Sequence, residues 1–241
     1  MKHLAAHLPW PKVKALADAN VWALLPVGST EAHGPHLPLN VDVVIAQAVC
    51  ARISDALETV EFPPVAYSLT DFAAPFSGTV SVPADTAKAM LVAVLRGIGR
   101  AGFRRVCVVN HHLEPAHFKV VHAAAAEAES PALRVVVPDH RRKPTGPLLG
   151  HEFMHGGSHA GAYETSLMMA TAPQLVDDAS RRALPSLSVD LPGAIKAGAT
   201  NFLEAGGPEA YFGAPAEASV AEGERLLGII TEATLAAMNG G

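Results

Sequence analysis

Residues 21–27 read VWALLPV and residues 105–109 read RVCVV. Both are short, unbroken apolar runs, the composition of strands buried on both faces of a sheet. Gly28 ends the first run. Residues 42–57 follow, with Val43, Val44, Ala46, Val49, Cys50 and Ile53 at helical spacing. Residues 60–67 read as a weaker strand limited by Pro63 and Pro64, and 71–82 as a Gly/Pro/Ser loop. Residues 83–102 predict a helix: Pro83 suits the first turn and Gly102 the C-terminal stop. Beyond the second apolar run, Pro115 opens a helix through Glu129, and residues 133–137 (LRVVV) form a further strand. Residues 160–170 read as helical, 177–215 as irregular, and 217–238 as a closing helix. This alternation implies an α/β fold: a mainly parallel sheet with helices on both faces, and a site beyond the C-terminal ends of the strands. No repeat, low-complexity tract or linker interrupts it, so residues 1–241 read as one domain.

Composition narrows the function classes. Of 241 residues, 49% are hydrophobic and 17% charged, so the chain has enough apolar surface to fold. Eighteen basic residues against 23 acidic ones give a net charge of -5, and aromatics are only 5%. Nucleic-acid binding is therefore not expected. The two cysteines, Cys50 and Cys107, lie in apolar stretches and read as small buried hydrophobes rather than a disulfide framework. Residues 1–16 carry an early proline pair and no long apolar run, and nowhere do about 18 apolar residues run together. The expectation is a soluble cytoplasmic protein with no membrane partner. Twelve histidines are present, ten of them from His33 to His159.

Three clusters carry chemistry. The first follows the first strand: GSTEAHGPHLPLNVD, residues 28–42. Glu31 and His33 are two apart and share a side in an extended loop. Asp42 stands at the start of the next helix, either as a ligand or as its N-cap. Glu, His and Asp together suit zinc or manganese. The second cluster follows the central strand: NHHLEP, residues 110–115, with His112 and Glu114 again two apart. The third is HEFMHGGSHAGAYETS, residues 151–166. Here His155 and His159 flank Gly156, Gly157 and Ser158, and Glu164 lies on the following helix. Ser158 reads either as a pocket residue or as that helix's N-cap. Glu164 is either a site group or a paired core carboxylate. His117 and His122 fall within a helix, as surface or core residues. Arg141, Arg142 and Lys143 read as a solvated basic run. No phosphate-cradling glycine fingerprint and no G-x-S-x-G are present.

The chain resembles the creatininase (creatinine amidohydrolase) family along most of its length. PVGSTEAHGPHLPLNVD, residues 26–42, is nearly that family's signature. NHHLEP resembles the N-G-H-x-E-N form rather than N-G-H-G-G-N, and HAGAYETS, residues 159–166, is similar to H-A-G-x-x-E-T-S. Weaker echoes are SGT (residues 77–79) and FGAPAEASVAEG (residues 212–223). The resemblance implies a three-layer α/β/α sandwich, a binuclear centre of zinc and/or manganese, and a homohexamer. Residue by residue, it implies that Glu31 and His112 hold one ion and His33 and Glu114 the other, with Asp42 bridging. His159 would act in proton transfer, and Glu164 is a ligand or a supporting group. Leu113, His155, Gly156, Gly157, Ser158 and Ser77 would touch substrate.

The implied activity is hydrolysis of a C–N bond in a small amide by water activated between the two ions. The first reading is a cyclic amide, creatinine or a relative. The alternatives are a linear amide, either a formamide or a peptide as in mycofactocin maturation, and a non-catalytic metal-loaded binding protein. Relatives acting on linear amides resemble the N-G-H-G-G-N form, so Glu114 counts against them. Two departures bear on substrate. His111 and Pro115 replace Gly and Asn in the second motif, and HGGS (residues 155–158) stands where creatininase has a tryptophan-rich wall.

Overall fold

The structure, a computed structural model, describes residues 2–156 and 158–240. Five strands form one sheet: β1 (Lys2–Leu4), β2 (Trp22–Val27), β3 (Thr59–Glu61), β4 (Arg105–Asn110) and β5 (Arg134–Val136). Their order is β1-β3-β2-β4-β5, and every pairing is parallel. The helices are α1 (Trp10–Asp18), α2 (Val41–Ala56), α3 (Ala84–Arg100), α4 (Pro115–Ala128), α5 (His151–Met154), α6 (Ala162–Thr171), α7 (Asp178–Ala183), α8 (Leu191–Lys196) and α9 (Val220–Asn239).

Alternation along the two central strands builds the layers, because successive side chains leave opposite faces. Trp22, Leu24, Cys107 and Val109 pack with Ile45 and Val49 of α2, Leu167 of α6, and Leu226 and Ile230 of α9. Ala23, Leu25, Val106 and Val108 pack with Ala17 of α1, Leu91 and Leu95 of α3, and Val121 and Ala124 of α4. The sheet is thus sandwiched between two helical layers, as expected. Both cysteines are buried in the first of these cores.

Connectivity places the site. From β2 the chain leaves through α2 toward β3; from β4 it leaves through α4 toward β5, on the other side and over the other face. The loops after these neighbouring strands diverge and open a crevice at the sheet's carboxyl edge, the place where such folds bind ligands. Both E-x-H and H-x-E motifs lie in those two loops.

Several local expectations are corrected. The strand expected over residues 60–67 is only three residues long, because Pro63 and Pro64 offer no N–H; pairing resumes at a single Val27–Val65 bridge. The first helical position after Pro83 is Ala84, so this proline caps α3 rather than entering it. Helix α6 starts at Ala162 rather than at residue 160, since Ala160 takes φ +51° and breaks the helical path. Its N-cap is Gly161, so Ser158 is not a cap. Asp42 is not a cap either: Asn40 holds that position and Asp42 lies inside the first turn. The irregular 177–215 segment contains α7 and α8, and β1 and α1 precede the first strand expected from the sequence.

Candidate active site

Three histidines converge at the crevice, each oriented by a backbone carbonyl. His33 Nδ1 donates to the carbonyl of Glu31 (3.1 Å). His112 Nε2 donates to that of Leu69 (2.9 Å). His159 Nε2 donates to that of Ala32 (3.0 Å). In each ring the other nitrogen is turned toward carboxylates. His33 Nε2 is 3.6 Å from Asp42 Oδ1, 3.6 Å from Glu31 Oε1 and 3.5 Å from Glu164 Oε2. His112 Nδ1 is 3.1 Å from Asp42 Oδ2 and 3.4 Å from Glu31 Oε1. His159 Nδ1 is 3.7 Å from Glu31 Oε1. Committing one ring nitrogen to a carbonyl and presenting the other is how metal-binding histidines are held.

The carboxylates are braced as well. Ser29 Oγ donates to Asp42 Oδ2 (2.8 Å), the Ala160 N–H donates to Glu164 Oε2 (2.7 Å), and Thr70 Oγ1 donates to Glu31. A chain of bonds supports the His112 loop. Asn110 Nδ2 donates to the His112 carbonyl (2.9 Å), His117 Nε2 donates to Asn110 Oδ1 (2.8 Å), and Ser68 Oγ donates to His117 Nδ1 (2.7 Å). His117 is therefore a buried core residue, whereas His122 is exposed. Gly28 allows α2 to begin close by: a Cβ there would lie 2.7 Å from Asp42 Cβ and 2.7 Å from the Val43 nitrogen.

Glu31, His33, Asp42, His112 and Glu164 are all buried, and no lysine or arginine pairs with these carboxylates among the described residues. Three buried carboxylates without a fixed cation call for positive charge. Burial disfavours a charged His33, yet Asp42, Glu164 and Glu31 outweigh it and push its pKa up to about 10. The Glu31 and Asp42 carboxylates likewise overcome burial at His112 and raise it well above the usual imidazole range. Burial opposes ionisation of Asp42, but His112 and His33 hold it well below the usual carboxylate range. Glu164 is pushed up to about 8 by burial, only partly offset by His33.

Among the described residues, ligand atoms within 4.8 Å of one another define three groups: Glu31, Asp42 and His112; His33, Asp42 and Glu164; and Glu31, His33 and His159. Asp42 is common to the first two. His33 Nε2 and Asp42 Oδ1 are buried without a hydrogen-bond partner, so the donor set fits divalent metal on the structure's own terms. The pairing differs from the one expected. Glu164, not Glu114, stands with His33, and Glu114 falls outside all three groups. Its Oε2 accepts instead from the Phe72 N–H (3.3 Å), and burial pushes its pKa up to about 7.

Above the cluster is a cavity of about 390 Å³. Leu113, Glu114, Gly156, Ser158 and His159 line it, as do Glu31, Asp42, His112 and Glu164. Ser77 and His155 do not line it. Ser77 is exposed, and from its SGT stretch Thr79 reaches inward instead, accepting from the Ala32 N–H (3.0 Å). His155 is exposed and stacks on His151, ring centroids 3.9 Å apart. Gly157 lies outside the described residues. Sequence reasoning missed Phe153, Leu191, Ile195 and Phe202, which build an apolar wall together with Phe72 of the 71–82 loop and come from distant segments with no shared pattern. It also placed Arg141 in solvent, whereas Arg141 lines the cavity. Glu152 went unnoticed too: its carboxylate accepts from the N–H groups of Ala162 (3.0 Å), Tyr163 (2.7 Å) and Ala214 (2.8 Å), anchoring the first turn of α6.

Comparison with known proteins gives the chain's family and fold. The family profile for creatininase, described as creatinine amidohydrolase, matches residues 6–238. A creatinine amidohydrolase of Pseudomonas putida is 30% identical over 187 residues, covering 70% of this chain and 72% of its own. A mycofactocin precursor peptide peptidase of Mycolicibacterium smegmatis is 30% identical over 211 residues, covering 84% of this chain and 78% of its own. The solved structure of a manganese form of creatininase superimposes with a TM-score of 0.77 at 23% identity, covering 100% of this chain and 98% of that one. With its parallel sheet, its crevice motifs and a match over nearly its whole length, the chain belongs to the creatininase family of hydrolases.

Proposed function

We propose that this chain is a metal-dependent amidohydrolase that opens a C–N bond in a small amide, a creatinine-like cyclic amide being the first reading. The observation that carries it is the buried pair of ligand groups, Glu31–Asp42–His112 and His33–Asp42–Glu164, sharing Asp42 beneath the cavity. These five residues would hold two ions. Bound there, divalent zinc or manganese would supply Lewis acidity and lower the pKa of water.

The remaining groups divide the work. His159 gives its Nε2 proton to the Ala32 carbonyl, so its Nδ1 faces the cavity and is the atom that would take a proton and pass it to the leaving nitrogen. Glu114, outside the ligand groups and on the cavity wall, would serve as a second proton carrier. The apolar wall excludes water around the scissile bond. Three carboxylates against two divalent charges leave the centre at about +1, which favours a neutral or anionic substrate over a cation.

A second reading, cleavage of a linear amide, rests on the cavity lining. Neither Trp10, which is 75% exposed, nor Trp22, which is buried in the core, lines the cavity, so a cation-like ring would meet only phenylalanine faces there, weaker partners than tryptophan.

One experiment tests the reading: metal content and turnover on a panel of cyclic amides, formamides and short peptides, for the wild type, Glu164→Gln and Glu114→Gln. Glu164→Gln should lose metal and activity together. Glu114→Gln should keep its metal and lose turnover by about 10²- to 10⁴-fold. A metal-depleted Glu164→Gln protein with normal turnover would refute the proposal. By family resemblance the assembly is a homohexamer, which sedimentation would check. No helix among the described residues is long and apolar enough to cross a membrane.

A further inference from the structure

We propose that the substrate carries a carboxylate of its own and that Arg141 receives it. This deepens the amidohydrolase reading above and rests on it for the identity of the site. Among the described residues, Arg141 is the only lysine or arginine lining the cavity, whose lining also includes the apolar Phe153, Leu191 and Ile195.

The guanidinium is fixed before any ligand arrives. Its Nε and Nη2 donate to Asp139 Oδ1 (2.8 Å) and Oδ2 (3.0 Å). Its carbon sits 3.2 Å from the centroid of the Phe118 ring. The backbone is held too: the Arg141 N–H donates to Asp139 Oδ1 (3.2 Å), and the Gly146 N–H closes the loop onto the Arg142 carbonyl (2.8 Å). Gly146 is required there, because a Cβ would lie 2.4 Å from the Arg141 carbonyl oxygen.

A guanidinium presents two bidentate edges to carboxylates. Asp139 engages the Nε–Nη2 edge, and Nη1 makes no hydrogen bond among the described residues, so the end-on edge is available. Nor does Asp139 neutralise the group, because it is shared with Arg142 Nε at 3.1 Å. Two arginines on one carboxylate leave a net positive charge. Arg142 has a side chain 80% exposed and reads as a solvated surface partner; that of Arg141 is 31% exposed. A cation oriented in this way at an apolar wall selects an anion joined to an apolar group. The fitting class is a small amide bearing a free carboxylate and an aliphatic or aromatic side group, as in an N-acylated apolar amino acid.

The test is calorimetric binding of N-acetyl-leucine and of its carboxamide to the metal-loaded protein, to Arg141→Met and to Arg141→Lys. The wild type should bind the carboxylate about 10- to 100-fold more tightly than the carboxamide. Arg141→Met should bring that ratio near one, and Arg141→Lys should restore part of it with a steeper salt dependence. The proposal is overturned if the wild type shows no preference, if Arg141→Met keeps it, or if that variant weakens both ligands equally. The two readings separate. An Arg141-dependent preference without turnover of any amide would sink the hydrolase reading alone. Turnover of neutral amides without a carboxylate preference would sink the subsite alone.

Discussion

Replacing Gly28 with alanine probes how closely the site depends on helix placement. The added methyl would lie 2.7 Å from Asp42 Cβ, 2.7 Å from the Val43 nitrogen and 2.9 Å from the Asp42 carbonyl carbon. Non-bonded carbons settle at about 3.5–4.0 Å. Two of the three obstacles are backbone atoms, so no side-chain rotation relieves the contact. The start of α2 must withdraw from the end of β2 by roughly 1 Å. Overpacking of this kind costs about 1–3 kcal/mol, which for a chain of this size lowers Tm by roughly 2–12 °C. The chemical effect should be larger, because Asp42 belongs to both ligand groups and a displacement of about 1 Å is worth roughly 100-fold in rate. Tm, metal content after dialysis and kcat on the best panel substrate together measure this. A Gly28→Ala protein with native metal content and native kcat would show that α2 yields freely, and the account of Asp42 as a rigid shared ligand would be wrong.

Three further outcomes are expected. Chelation should abolish turnover and lower Tm by roughly 8–16 °C if the ion is present at about a thousandfold over its Kd; added manganese or zinc should restore both, and an unaltered melting curve would contradict the buried-charge argument. Glu152→Ala should destabilise the protein by about 2–4 kcal/mol in urea titrations, since three backbone N–H groups lose a charged acceptor; by freeing the first turn of α6 it should also loosen any metal that Glu164 of that helix holds, and unchanged metal retention would exclude that coupling. His140 is buried, which lowers its pKa to about 4 against the opposing pull of Asp139, with Arg141 adding to the depression; its ring faces His111 and Phe153. Between about pH 6.5 and 4 the unfolded chain therefore holds a proton that the folded chain does not, and stability falls as pH falls through that window. His140→Phe should reduce that loss by up to about 3 kcal/mol while leaving stability near pH 7 little changed; an unaltered slope between pH 6.5 and 4.5 would refute the assignment.

The central strands were legible because a strand covered on both faces needs an uninterrupted apolar run, and residues 21–27 and 105–109 supply it. The motif loops were legible for a related reason: Glu, His and Asp just past such strands have few structural uses. The division of ligands was less so. Glu114 and Glu164 each follow a histidine at short range, and only the three-dimensional path, with the chain breaking at Ala160 and α6 anchored by Glu152, decides that Glu164 faces His33. Strand β1 and helices α7 and α8 escaped because three to six residues hold too little periodicity to register. Arg141 escaped because a basic tripeptide looks the same whether solvated or folded under a loop; its stacking on Phe118 is a contact between residues 23 positions apart.

The candidate ligands sit in the loops that follow β2 and β4 and in the first turns of α2 and α6. Much of the cavity's apolar wall, Phe153, Leu191, Ile195 and Phe202, comes instead from the segments that flank α6, which contribute nothing to the sheet. That separation would let the rim change while the candidate ligands keep their places. Relatives named for creatinine and for a precursor peptide, each 30% identical to this chain, have diverged in that way if their differences concentrate in the rim. Grafting residues 141–156 and 191–202 between such relatives, which leaves His159 and Glu164 in place, is accordingly a sound place to begin redirecting what they cleave.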